Sequence, residues 1–246
     1  MLVYDMVVDE RRRMADLLAG LTEEQLRQRS LCAGWTVHDV AAHLVTYLRY
    51  GQAKILFAIV ATGADFDRFN VALTRRAARI GSDEIIARLR RQAAARTTIP
   101  RSGYDPVLTD LLLHDLDIRV PLGIPRDTPE ERLRVAFHHL AVAPSPGFAM
   151  GGRLAGLRLR ATDTGWAYGR GALVAGRADA LVLGMAGRSA AFADLDGDGV
   201  ALLRQRVGAV PRPGPLHRLM APLRVLAHPP PPERRSRRAV APPRPE

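Results

Sequence analysis

Cysteine occurs once, at Cys32, which excludes an internal disulfide and any zinc site built mainly from cysteine. A lone thiol fits a reducing compartment. Lysine is equally scarce: Lys54 is the one example, so nearly all of the 36 basic residues are arginine. Aromatic residues make up only 5% of the chain. Long apolar runs are missing too. The most apolar stretch covers about 53–61, well short of the ~20 helical residues that cross a bilayer. The N-terminus reaches Asp5, Asp9 and Glu10 at once and lacks the basic start and unbroken apolar segment of a signal peptide. These absences lead to the expectation of a soluble, cytoplasmic protein with no membrane partner.

What is present is enough for a packed core: 246 residues, 47% of them hydrophobic, the size of one large domain or two small ones. The formal charge of +11 invites a nucleic-acid reading. Its distribution argues against one. Residues 211–246 hold eight arginines and two glutamates, so more than half of the excess sits in the last 36 residues. Elsewhere arginines alternate with acids, and no recognition-helix or RNA-binding signature is present.

Helical periodicity runs through residues 3–20, with Val7, Met14, Leu17 and Leu18 on related faces. Thr22 and Gln25 form a capping box for a second helix, and Thr36 and Asp39 form another after the loop LCAGW. The helix beginning there extends to about residue 62. A third helical region covers about 66–96, broken near Gly81 and Ser82, and a fourth runs from about Asp105 to Val120, stopped by Pro121 and Gly123. Four amphipathic helices with modest connections predict an antiparallel bundle over residues 1–125. After Pro125 the pattern changes. Thr128-Pro129-Glu130-Glu131 starts a helix that reaches about Val142. GLRLRATDTG, WAYGRG and DALVLGMAG read as strands, and DLDGDGVALLRQRV as a turn into a final helix. The fold class is therefore α+β: a four-helix bundle, a small α+β domain over 126–210, and a Pro/Arg-rich tail over 211–246 that is expected to be disordered and could contact an acidic partner. Removing that tail should change the melting temperature by no more than a few degrees, and a larger drop in a thermal melt would place the run PLHRLMAPLRVLAH on the fold.

On a helical wheel His114 falls among Val107, Leu111 and Ile118, the inward stripe of the fourth helix. Asp110 is one turn earlier on the same side, and Asp117 is close to it. Acids and an imidazole on an inward face are costly unless something pairs with them. His43 lies at the edge of the stripe made by Val37, Val40, Leu44 and Leu48, and Tyr47 shares its side. If the two helices are neighbours, His43, Asp110 and His114 converge as two neutral nitrogens and one carboxylate, a donor set suited to Zn²⁺ with coordination positions left open. The bland alternative keeps His114 as a core histidine paired with Asp110 or Asp117, and His43 on the surface.

Two segments carry a family resemblance: SLCAGWTVHDVAAHL, residues 30–44, and LTDLLLHDLDIRVPLG, residues 108–123. Together they resemble the actinobacterial mycothiol-dependent maleylpyruvate isomerase family, whose N-terminal part is a DinB-like four-helix bundle. The run AGRSAAFADLDGDGVALL resembles that family's small C-terminal domain. The resemblance spans roughly 5–207 and implies metal ligation by His43, Asp110 and His114, with mycothiol as the thiol cofactor. The family's isomerase looks to carry glutamate where this chain has Asp110, one methylene shorter. On this resemblance a metal-activated thiolate attacks a small electrophile, in an isomerase or S-transferase reaction. In the isomerase case it adds to a cis double bond, the bond rotates and elimination returns the trans isomer. The alternative is a metal-binding interaction or sensor protein on the same bundle, without turnover.

Other signals are weaker, and the sequence designates no catalytic residue. Cys32 precedes His43 by eleven residues, and ~10 Å of helix separates His43 from its helix start, so Cys32 reads as a small packing residue; Trp35 reads as packing beside the cap. Asp39 could orient His43, although capping alone explains it. Arg119 is either an anion clamp for a carboxylate substrate or a salt-bridge partner of Asp115. Asp194, Asp196, Asp198 and Gly199 begin like a calcium loop, but Gln205 stands where the bidentate carboxylate belongs, so they read as a tight turn before a helix.

Overall fold

The computed structural model describes residues 1–49, 74, 77–98, 103–142 and 154–208. The expected continuation of the third-from-last bundle helix to residue 62, much of the region 66–81 and the tail 211–246 lie outside the described residues. Helices form at Val3–Ala19 (α1), Glu23–Arg27 (α2), Val37–Arg49 (α3), Ser82–Arg91 (α4), Asp105–Arg119 (α5) and Glu130–Val142 (α6). Both capping boxes are present. Thr22 Oγ1 accepts from Gln25 N–H while Gln25 Oε1 accepts from Thr22 N–H, and Thr36 and Asp39 exchange the same pair of bonds at 3.1 and 2.9 Å.

Helix α5 is the axle of the molecule. It packs on α1, α3 and α6 and also touches a helix of the C-terminal part. Every residue from Leu111 to Arg119 is buried, so α5 is enclosed on all sides and is not the amphipathic surface helix that its pattern predicted. A helix in that position can carry Asp110, His114, Asp115, Asp117 and Arg119 only because each polar side chain has partners inside the fold.

The C-terminal part holds strands Leu157–Ala161 (β1), Ala167–Gly169 (β2), Ala172–Gly176 (β3) and Leu195–Asp196 (β4), with Ala178–Met185 (α7) and Val200–Gly208 (α8). The sheet order is β2-β1-β3-β4, with β1 parallel to β3 and the other pairs antiparallel. The return from β2 to β3 needs glycine. Gly171 has φ of 126°, and a Cβ there would come within 2.1 Å of the Gly156 carbonyl. One expectation is corrected. DALVLGMAG is helix α7, not a strand, and the strand lies just before it. The segment is buried throughout, and a short apolar run buried on every side has no periodicity to tell helix from strand. The acidic turn behaves as expected: Asp198 Oδ1 accepts from Leu173 N–H at 2.6 Å, tying it to β3. The described buried hydrophobic residues form one cluster from Met6 to Leu203. No described helix is long and apolar enough to cross a membrane.

Candidate metal centre

Asp110 and His114 leave α5 one turn apart on one side, and His43 meets them from α3. His114 Nε2 lies 3.4 Å and His43 Nε2 3.8 Å from Asp110 Oδ1. The two imidazoles approach edge to face at 4.9 Å, and one ligand-capable atom from each of the three residues falls within 4.8 Å of the others. Donor atoms around a tetrahedral zinc ion with ordinary bond lengths stand roughly 3.4 Å apart; the two His–Asp separations are within a few tenths of an ångström of that, and all three donors lie within 4.8 Å of one another. Both histidines are 4% exposed, whereas the Asp110 side chain is 22% exposed. The cluster is therefore reached from the Asp110 side.

A second layer of side chains fixes the first. Asp117 Oδ2 lies 3.0 Å from His114 Nδ1, which holds the ring so that Nε2 faces Asp110. Asp117 is fully buried and takes two bonds from Arg188, Nε at 2.9 Å and Nη2 at 2.8 Å. Thr74 Oγ1 lies 3.4 Å from His43 Nδ1. The Leu31 N–H donates to the Asp117 carbonyl at 3.1 Å, which pins the loop before α3 onto α5. This brings the Cys32 thiol to 3.0 Å from Asp117 Oδ2, 3.7 Å from His114 Nδ1 and 3.5 Å from Arg188 Nη2. Trp35 closes another side, its ring 5.2 Å from that of His43 and 6.5 Å from that of His114.

Cys32, His114 and Asp117 form a second group with metal-ligand geometry. The Arg188 guanidinium already occupies both Asp117 oxygens, so a cation there would face an adjacent positive charge, and the His43–Asp110–His114 group is the better cation site.

The remaining sequence candidates are placed as follows. Asp39 is held by Thr36, which is its capping role. Arg119 Nε bonds both oxygens of Asp115 at 2.9 and 2.8 Å, and Nη1 bonds the Pro125 carbonyl; of its two readings, the geometry shows the salt bridge. Tyr47 lies on α3, with its side chain outside the described residues. Of the site's other neighbours, the sequence reading leaves out Arg188 and takes Cys32 and Trp35 for packing residues. Arg188 had a usable signal, an arginine inside the small apolar run MAGRSAAF. Cys32 was judged by its distance along the chain from His43, whereas the fold sets it beside His114. Trp35 contacts both imidazoles besides packing near the cap.

Electrostatics sort the two histidines. Burial lowers the pKa of His43, and Asp110 only partly offsets it. Burial also opposes charge on His114, but Asp110 and then Asp117 outweigh it, and its pKa rises well above the ordinary value. Asp110 and Asp117, despite burial, are held far below the usual carboxylate range, Asp110 chiefly by His114 and Asp117 chiefly by Arg188. At neutral pH His43 is then neutral and His114 carries a proton that any cation bound here would have to displace. Metal uptake should release about one proton at pH 7, and apparent affinity should rise about tenfold per pH unit until His114 titrates. Calorimetry in two buffers of different ionisation enthalpy measures this, and uptake without proton release would contradict it.

Residues 7–105 match the profile of the mycothiol maleylpyruvate isomerase N-terminal domain. Among solved structures, the mycothiol-dependent maleylpyruvate isomerase superposes with a TM-score of 0.50, and a variant of it with one histidine replaced by alanine with 0.51; each is 16% identical, covering 87% of this chain and 99% of the other. At that identity the likeness establishes the fold. No curated protein matches the chain.

Proposed function

We propose that this protein is a divalent-metal-dependent enzyme that uses mycothiol to isomerise, or to transfer sulfur to, a small electrophile. The observation that carries the reading is the donor set itself: two imidazole nitrogens and one carboxylate oxygen converging within 4.8 Å. His43, Asp110 and His114 would hold the ion, with zinc the best match to nitrogen and carboxylate donors. Three protein ligands leave at least one position for an external ligand, as catalytic sites do. When bound, such an ion supplies a Lewis acid that lowers the pKa of a thiol, so that thiolate is available at neutral pH.

The chain's own residues supply orientation and exclusion of water. Asp117 keeps the His114 ring turned so that Nε2 faces Asp110, where it would be available to an ion. Arg188 keeps Asp117 ionised and fixed. Trp35 and the buried faces of α3 and α5 shield the imidazoles from solvent. In an isomerisation the external thiolate would add to one carbon of a cis double bond, the carbon–carbon bond would rotate, and elimination would return the thiolate with the trans product, so no thiol is consumed. In a transfer the adduct itself is the product.

The test is turnover of maleylpyruvate, or alkylation by a simple electrophile, with and without added mycothiol. Mycothiol-dependent turnover is expected, and Cys32→Ser should lower it by no more than about tenfold, since serine can keep the bond to Asp117. Metal binding without such turnover would replace this reading with that of a metal-binding sensor or interaction protein. Loss of all turnover in Cys32→Ser would make the reacting thiol the protein's own.

A further inference from the structure

Thr74 is a buried hydroxyl with an imidazole in front of it. It is 2% exposed and lies in helical backbone ahead of α4, its carbonyl accepting from the Ala78 N–H at 2.7 Å. Two contacts set this segment against α3. Thr74 Oγ1 stands 3.4 Å from His43 Nδ1, and the Ala78 carbonyl stands 3.2 Å from His38 Nε2. As α3 advances from residue 38 to 43, its contacts step back from 78 to 74, which is the register of antiparallel helical segments. Packing along both segments therefore fixes the approach of Thr74 to His43.

Among the described residues three threonines are buried: Thr46, Thr74 and Thr109. Thr46 and Thr109 donate to the carbonyl four residues back in their own helices, Ala42 at 2.9 Å and Asp105 at 2.7 Å, a common way for a helical threonine to satisfy its hydroxyl. Thr74 differs in having its oxygen turned to a histidine. Burying a hydroxyl is costly without a partner, and valine would fill the same space.

An imidazole that binds an ion through Nε2 keeps its proton on Nδ1, and the hydrogen bond made by Nδ1 selects that tautomer. For His114 the acceptor is Asp117 Oδ2 at 3.0 Å, a carboxylate held by Arg188. For His43, Thr74 Oγ1 stands in the corresponding place. The contact is at the long end of hydrogen bonding, but hydrogen bonds around a reactive centre are often long until its ligand is in place. The two partners are unequal. A carboxylate opposite one nitrogen makes the other a stronger donor to a metal, and a neutral hydroxyl does so less. We propose that Thr74 is a positioning residue that sets the His43 tautomer for metal binding, and that it leaves His43 the weaker of the two nitrogen ligands. This role rests on the metal centre proposed above.

Zinc affinity of the full-length protein, measured by competition with a chromogenic chelator, tests it. Thr74→Val keeps the shape and removes the hydroxyl; it should bind zinc about tenfold more weakly, the lower end of what losing an outer partner costs. Thr74→Ser restores the hydroxyl and should stay within about twofold of wild type. Nitrogen-15 NMR of the zinc-loaded wild type should find His43 protonated at Nδ1. His43→Ala and His114→Ala should both lose affinity, His43→Ala less. If neither does, the metal centre itself fails, and the role of Thr74 with it. If both do, the centre stands, and three results would still overturn the inference: Thr74→Val binding as tightly as wild type, Thr74→Ser falling as far as Thr74→Val, or His43 protonated at Nε2. A loss in His43→Ala equal to or greater than that in His114→Ala would overturn the ranking of the two ligands.

Discussion

On the proposed metal-dependent function, replacing His114 by alanine should strip the protein of most of its metal and nearly all of its activity while leaving its helical content close to wild type. His114 is the middle of the site. It stands 3.4 Å from Asp110 on one side and 3.0 Å from Asp117 on the other. Loss of an outer-sphere partner alone typically costs ten- to a hundredfold in metal affinity, so loss of a ligand should cost more than about a hundredfold. The fold should survive, because α5 is held by Leu108, Leu111, Leu112, Leu116 and Ile118 against three other helices. Asp110→Glu should be far milder, since it keeps the charge and adds one methylene of reach. Elemental analysis beside circular dichroism separates these outcomes. A His114→Ala protein with full metal content would move the site elsewhere.

Asp117→Ala should produce the largest loss of stability. The substitution leaves the Arg188 guanidinium, 17% exposed, without its carboxylate, and breaking a buried pair from one side costs about 3–5 kcal/mol. Taking the lower end because Arg188 keeps some contact with solvent, about 3 kcal/mol corresponds to a fall in melting temperature of roughly 6–12 °C for a protein of this size. The same change frees the His114 ring, so metal affinity should fall ten- to a hundredfold as well. The double variant Asp117→Leu/Arg188→Met distinguishes the two effects. It removes both charges and should recover most of the stability, yet it should not recover the affinity, because nothing then orients His114. Recovery of both together would mean that Asp117 serves the fold alone.

The elements that position the site were legible because their signals are local. A capping box is four residues long, so Thr36 and Asp39 announce the start of α3 wherever the chain goes next. The spacing of Asp110 and His114 is one helical turn, and an acid and an imidazole on an inward stripe demand a partner. What was not legible depends on contacts between distant segments. Arg188 comes 71 residues after Asp117, and no periodic pattern links them. The position of Cys32 depends on bonds to α5 from a loop about 85 residues earlier, Leu31 N–H to the Asp117 carbonyl and the Cys32 thiol to Asp117 Oδ2. Helix α7 was misread for a different reason: burial on every side erases the periodicity that separates helix from strand.

X-ray absorption spectroscopy of the zinc-loaded protein tests most directly the proposal that two imidazoles and one carboxylate hold an ion with a position open to an external thiol. Without thiol, the spectrum should show only nitrogen and oxygen neighbours at about 2.0–2.2 Å; on adding mycothiol, one sulfur should appear at about 2.3 Å. A sulfur neighbour before any thiol is added would make Cys32 a ligand, and a spectrum unchanged by mycothiol would contradict a role for the site in thiol chemistry.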